Sequence, residues 1–173
     1  MPALVDTVLE CTEKIVLHAQ NFAKVLHKAG EAKKLMLLLS SMKLVKNKVL
    51  FFKDLFGKIV QKDYMDGDLE DLIQGILTQV IEYYKGCIAN EVLHDAGSND
   101  WLSSSPYYEN QKISTSIQFW AYTMQGVRAD IFNILNEQLA RKALHEIVKR
   151  SLDILAVRYC QVSVLPFGTK NYS

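Results

Sequence analysis

Large apolar residues recur along this chain at steps alternating between three and four, and strand-like alternation is absent. That rhythm constrains the fold more than any other feature. A repeat near 3.6 keeps side chains on one face of a helix, whereas a strand needs a repeat of two. The clearest run is Ile113, Ile117, Trp120, Met124, Val127, Ile131 and Leu135. The stretch around it, Ser116 to Asp130, adds Tyr122, Arg128 and Asp130, residue types suited to tying neighbouring helices together. The reading is an all-α bundle of about five antiparallel helices with one long aromatic loop, a single domain over residues 1–165 and a disordered tail at 166–173. A chain of 173 residues buries about two thirds of its unfolded surface on folding and needs neither metal nor disulfide to do so.

The first predicted helix runs from Leu4 to Ala29, with Leu4, Val8, Cys11, Ile15, His18, Phe22 and Val25 as its core stripe and Gly30 as its stop. His18 then reads as a buried neutral imidazole. The second, Glu31 to Lys62, carries Leu35, Leu38, Met42, Val45, Val49, Phe52, Phe56 and Ile59. That seam spans roughly 35 Å and predicts coiled-coil-like packing at a shallow angle. Leu37, Leu39, Leu44, Leu50, Phe51 and Leu55 widen it. Either this helix touches more than one neighbour, or it leaves an apolar patch for a partner.

Tyr64 to Asp68 reads as a turn, with Asp68 capping a third helix that runs to about Asp95 along Leu69, Ile73, Ile76, Leu77, Val80, Tyr84, Cys87 and Val92. Gly75 and Gly86 share a face of it, where a close helix crossing would explain both. Residues 97–112 form the long connection, too polar for an element and rich in aromatics. Trp101 and one of Tyr107 and Tyr108 either lie against the bundle or form an exposed recognition loop. Ser114 or Ser116 caps the fourth helix. One unbroken helix from there would approach 70 Å, too long for a compact domain, so the break is placed at Asn133 to Asn136. A fifth helix follows from Glu137 to about Val162.

Global charge, +1, points to neither nucleic acid nor membrane. Its distribution is uneven. Residues 24–62 hold ten lysines and two acids, and residues 63–100 hold nine acids and one lysine. Two adjacent helices with mutually attracting flanks account for this. A basic face for anionic lipid or an acidic partner is the sharper alternative. Cys11, Cys87 and Cys160 form no close-spaced pair and read as reduced core thiols of a cytosolic protein. The N-terminus lacks the layout of a signal peptide, and no apolar run approaches the ~20 residues of a membrane span.

Spacings that would carry chemistry are incomplete. His145-Glu146 opens a zinc-protease pattern, but position 149 is Lys. Glu91 and His94 make one Glu-x-x-His pair where a di-iron bundle needs two. Glycine-rich phosphate loops and nucleophile elbows are absent. Arg128 with Asp130, and Arg158 with Asp153, read as structural ties between helices. Glu146 and Arg150 read as a surface pair. The expectation is a non-enzyme without cofactor or metal.

From Trp101 onward, Tyr107-Tyr108, Ser116, Gln118, Phe119, Trp120, Tyr122, Gln125, Gly126, Arg128, Asp130, Leu139, Ala140, Ser151, Leu152, Arg158 and Tyr159 make a recognisable pattern. It resembles the C-terminal helical region of large, poorly characterised animal proteins with predicted coiled coils, which look in turn like the stacked bundles of vesicle-tethering complex subunits. After Tyr159 that pattern turns polar, whereas here it reads Gln161-Val-Ser-Val-Leu-Pro-Phe167. The resemblance implies a rod-like helical module without catalytic residues.

The expected function is a cytoplasmic interaction module that binds a helical protein through Leu37, Leu44, Phe51 and Leu55, with Trp101, Tyr107 and Tyr108 as further contacts. The alternative is peripheral binding of anionic lipid through Lys43, Lys46, Lys48 and Lys53. Self-association through the same apolar face is a further outcome. A third class, an enzyme, would require a cavity placing His18 or His145 beside a cysteine or carboxylate.

Overall fold

Helical periodicity is realised as five helices in the computed structural model, which describes residues 2–56, 64–94 and 115–160. They are α1 (Pro2–Lys28), α2 (Ala32–Phe56), α3 (Tyr64–His94), α4 (Thr115–Ile134) and α5 (Glu137–Cys160). No strand occurs among the described residues. The residues read as a long aromatic loop and as a disordered tail lie outside them.

Two boundaries follow from single residues. Gly30 adopts φ 71°, the left-handed region that side chains resist. Its N–H donates to the His27 carbonyl at 3.1 Å and the Glu31 N–H to the Leu26 carbonyl at 3.0 Å, which closes α1 as a Schellman motif. At the other junction the Asn136 side-chain oxygen accepts the Leu139 N–H at 3.0 Å and caps α5. The break between α4 and α5 falls where the asparagines place it.

The helix α3 is the hub and packs against all four others. Around it α1 meets α2, α2 meets α4, and α4 meets α5, while α1 and α5 do not meet among the described residues. Leu35, Met36 and Leu39 of α2, Ile73, Val80 and Ile88 of α3, and Ile131 and Ile147 are fully buried between them. The apolar seam read from the α4 stretch holds from Trp120 on, with Val127, Ile131 and Leu135 buried and Trp120 and Met124 half-buried, but Ile117 is exposed and Ile113 lies outside the described residues.

Several expectations are overturned. The predicted turn at Tyr64 to Asp68 is the start of α3. Its acids sit in the first turns, where the helix dipole favours them, and Gly67 lies in open space on the exposed side. A Cβ at Gly75 or Gly86 would meet nothing within 4 Å, so no close crossing explains these glycines. The largest correction concerns α1. The stripe Cys11, Ile15, His18, Phe22, Val25 is exposed, and α1 instead buries Thr12, Ala19, Ala23 and Leu26. The fifth helix repeats the pattern, burying Ala140, Ala143, Ile147 and Ser151 while Leu152 stays exposed. Small residues let helix axes approach closely, so the alanine face packs even where a greasier face adjoins it. Cys11 and Cys160 are accordingly exposed rather than core thiols, and Cys87 is half-buried.

Candidate interaction surface

Along α2 the buried residues Ala32, Leu35, Met36, Leu39 and Met42 face the hub. At 100° per residue the opposite side of the helix carries Leu37, Leu44, Phe51 and Leu55. These four are 56%, 60%, 61% and 61% exposed. They are spaced by seven, seven and four residues, a continuous apolar ridge with no neighbour of its own among the described helices. Leu50, read with them as widening the seam, is only half-exposed, and Leu39 is core. Trp101, Tyr107 and Tyr108 lie outside the described residues.

The four lysines of the lipid alternative do not share a face. The Lys46 ammonium, 14% exposed, donates to the Glu70 carboxylate of α3 at 2.6 Å. Lys53, seven residues on, and Lys43, three residues before, lie on that inward half of the helix and are half-buried. Of the four, Lys48 alone is exposed, and it stands beside the apolar ridge. The Lys46–Glu70 contact is the attraction that the opposite charge runs of the second and third helices lead one to expect.

The hydrogen bond from Lys46, followed by one from Gln74, holds the Glu70 carboxyl below its ordinary value of 4.5. A carboxyl lowered by folding stabilises the fold above its unfolded value, and that contribution disappears as pH falls through the folded value. Melting temperature followed from about pH 6 down to about pH 3 should therefore fall less steeply below 4.5 for Glu70→Gln than for the wild type. Equal slopes would show that Lys46 and Glu70 are not coupled in solution.

Other polar contacts are ties between helices. Lys33 pairs with Asp130 at 3.0 Å, joining α2 to α4. Burial, and then the Asp130 charge, push the Tyr84 phenol of α3 upward. Asp130 thus pairs with a lysine and lies near a tyrosine. The pairing of Arg150 with Glu146 is replaced by one with Glu82 of α3. The hydrogen bond from Lys85, and after it the Lys85 and Arg150 charges, keep the Glu82 carboxyl low. Buried Ser151 accepts the Trp120 indole N–H at 2.9 Å and donates to the Val148 carbonyl at 2.7 Å. Trp120 and Ser151 both belong to the pattern that carried the family resemblance, but nothing in their spacing announced the contact.

His18 and His145 are exposed. No group of three or more His, Cys, Asp and Glu able to hold a metal forms among the described residues. A shallow open cleft of about 290 Å³ between α1 and the start of α3 is lined by Glu13, Val16, Leu17, Gln20 and Asp68, without a histidine or cysteine. No described helix is long and apolar enough to cross a membrane.

The residues that sequence reasoning missed are on α1: Ile15, Phe22 and Val25 belong to the surface, not the core. The signal was present in side-chain size. An apolar arc made of Ala19 and Ala23 beside one made of Phe22 and Val25 marks the first as the close-packed side.

Comparison with known proteins places these features. The chain is 32% identical over 109 residues to a human protein described as "Uncharacterized protein KIAA0825", a stretch covering 63% of this chain and 8% of that protein. The chain thus spans a small part of its relative's length, and neither this match nor the family match speaks of vesicle tethering. No solved structure matches. The family match extends over residues 3–169, nearly the whole sequence, and the chain belongs to the family described as "Domain of unknown function (DUF4495)".

Proposed function

We propose that this chain is a non-enzymatic helical interaction module that binds a helical protein through the outer ridge of α2. The observation that carries the reading is the exposure of Leu37, Leu44, Phe51 and Leu55 in one row at helical spacing. Scattered exposed leucines are ordinary, but a row of four at 3.6-periodic spacing is what a partner helix reads through its own i, i+3, i+4, i+7 anchors. A cytoplasmic, rod-like setting of the tethering type suits the all-helical build and the much greater length of the human relative. Lipid binding through Lys43, Lys46, Lys48 and Lys53 has less support, because the inward-facing three are unavailable to a flat bilayer.

The test is comparative co-precipitation from cells with the wild type and with Leu44→Asp/Phe51→Asp, both checked by circular dichroism. The expected result is a set of helical proteins depleted about tenfold with the variant, as loss of anchors at an interface centre produces. Recovery of the same proteins in the same amounts would remove the ridge as a docking face.

A further inference from the structure

We infer that α1 is a detachable cover. It leaves the other four helices as a unit, at far less cost than unfolding of the bundle, and its departure uncovers an apolar strip shared by α2 and α3. This device does not depend on the docking role proposed for the outer ridge of α2, which is exposed while α1 is seated.

The polar ties that hold the helices together pass α1 by. Lys46 ties α2 to Glu70 of α3, and Lys33 ties α2 to Asp130 of α4. Thr123 and Trp120 tie α4 to Glu91 of α3 and Ser151 of α5. Lys142 and Arg150 tie α5 to Gln74 and Glu82 of α3. Among the described residues, the side-chain bonds of α1 from Val8 to Lys28 are internal. Thr12 donates to the Val8 carbonyl at 2.8 Å, and Lys14 to Glu10 at 2.6 Å.

Packing holds α1 weakly as well. It buries Thr12, Ala19, Ala23 and Leu26, one large side chain among four, with Val8, Leu9 and Val16 half-buried. Its larger apolar residues Ile15, Leu17, Phe22 and Val25 are exposed. Hydrophobic stabilisation grows with the apolar area removed from water, so a seat built on alanines contributes little for a helix of 27 residues. The fifth helix also buries alanines, but it adds Leu139, Ile147 and its two ties to α3.

The seam between α1 and α3 is imperfectly closed. A cleft of about 290 Å³ opens there, with Val16 and Leu17 of α1 facing Asp68. At the other end, a Cβ added at Gly30, just past α1, would stand 3.6 Å from the Tyr83 ring. The line of α3 from Asp68 to Tyr83 is therefore the one turned to α1, and at helical spacing it passes through Leu72 and Gln79. The Oε1 of Gln79 is buried and accepts no hydrogen bond among the described residues. Such an oxygen is penalised while α1 is seated and hydrated once it leaves.

What α1 hides follows from the same neighbours. On α2, Lys46 marks the side of α3 and Lys33 the side of α4, which leaves half-buried Leu38 and Val45 on the flank toward α1. With Leu72 of α3 they make the covered strip. Gly30 is the joint. Its φ of 71° turns the chain between the two helices, and a change in a few backbone angles there swings one away from the other. Once free, α1 loses the packing that supplies most of a helix's stability in a protein, and its amides meet solvent.

The test is amide hydrogen exchange of the full chain, read by mass spectrometry in rising sub-denaturing urea. Peptides from α1 are expected to exchange at least about a hundredfold faster than those around Val80 of α3, with a shallower dependence on urea, because one departing helix exposes less surface than an unfolding bundle. Ala23, 1% exposed, lies where α1 sits closest. Ala23→Leu overfills that place and should abolish protection in α1. The Val80 peptides should stay at least about a hundredfold slower than in the unfolded chain, and binding of an anilinonaphthalene sulfonate dye should rise as the strip is uncovered. Exchange of α1 and α3 at one rate with one urea slope, or loss of protection in both in the variant, would make the bundle a single cooperative unit and overturn the proposal. Protection of α1 in the variant equal to wild type would show that the alanines are not its seat, and undocking without added dye binding would show that no apolar strip lies beneath; either overturns the cover.

Discussion

Ile73→Ala lowers the unfolding free energy by about 2–5 kcal/mol, the range for deleting a buried isoleucine side chain where the surroundings collapse only in part. The upper half of that range is expected. Ile73 is fully buried on α3, and α3 is the one helix in contact with all four others, so no single neighbour can move in to fill the space without parting from the rest. For a domain of this size each kcal/mol corresponds to about 2–4 °C, which makes the effect easy to read in a thermal melt followed by circular dichroism. The matched comparison is Leu44→Ala on α2. Leu44 is of similar size and chemistry but 60% exposed, and its removal should change stability by less than about 0.5 kcal/mol. Similar losses for the two variants would mean that the outer ridge of α2 is covered and that α3 is not the hub.

The same contrast explains how much of this fold could be read from residues alone. Helix positions followed from periodicity, and their ends followed wherever one residue had a special task, as Gly30 does with its positive φ and Asn136 with its cap. Neither effect depends on any distant part of the chain. The face a helix buries depends on what lies next to it, and there the pattern was ambiguous. On α1 the apolar arc is wide enough to hold two stripes. Ranking them by hydrophobicity favours Ile15, Phe22 and Val25, but the structure buries Ala19 and Ala23 because closeness of approach decides the packing. Turn chemistry misled in the other direction at Tyr64 to Asp68, where glycine and aspartates suit a turn but equally suit the exposed start of a helix that Leu69 anchors in the core.

The candidate surface was legible on α2 because its apolar residues outnumber what one face can bury. Leu37, Leu44, Phe51 and Leu55 were the surplus beyond the primary seam, and they remain exposed. The exposed apolar stripe of α1 was not legible by the same count, since its surplus was mistaken for the seam itself. Lysine number likewise overstated a basic face. Whether Lys46 is available depends on Glu70, which stands 24 residues away on another helix.

Trp120 and Ser151 give the second large effect, and a way of separating packing from hydrogen bonding. Trp120 sits half-buried against the core, and its indole N–H reaches Ser151 of α5 at 2.9 Å. Trp120→Ala should lose about 2–3 kcal/mol, below the usual cost of a buried tryptophan because part of the ring already meets water. Trp120→Phe keeps most of the ring contact and removes the donor. The Ser151 hydroxyl retains its own bond to the Val148 carbonyl, so the loss should be about 1 kcal/mol. Ser151→Ala should cost a similar amount, because the half-buried indole N–H can turn to water. If the two side chains act through this one contact, the double variant Trp120→Phe/Ser151→Ala is no less stable than the worse single one, a coupling of about 1 kcal/mol in a double-mutant cycle by urea denaturation. Simple addition of the two losses would mean that they act separately, and that α4 is held to α5 by Val127, Ile131, Leu139 and their apolar neighbours alone.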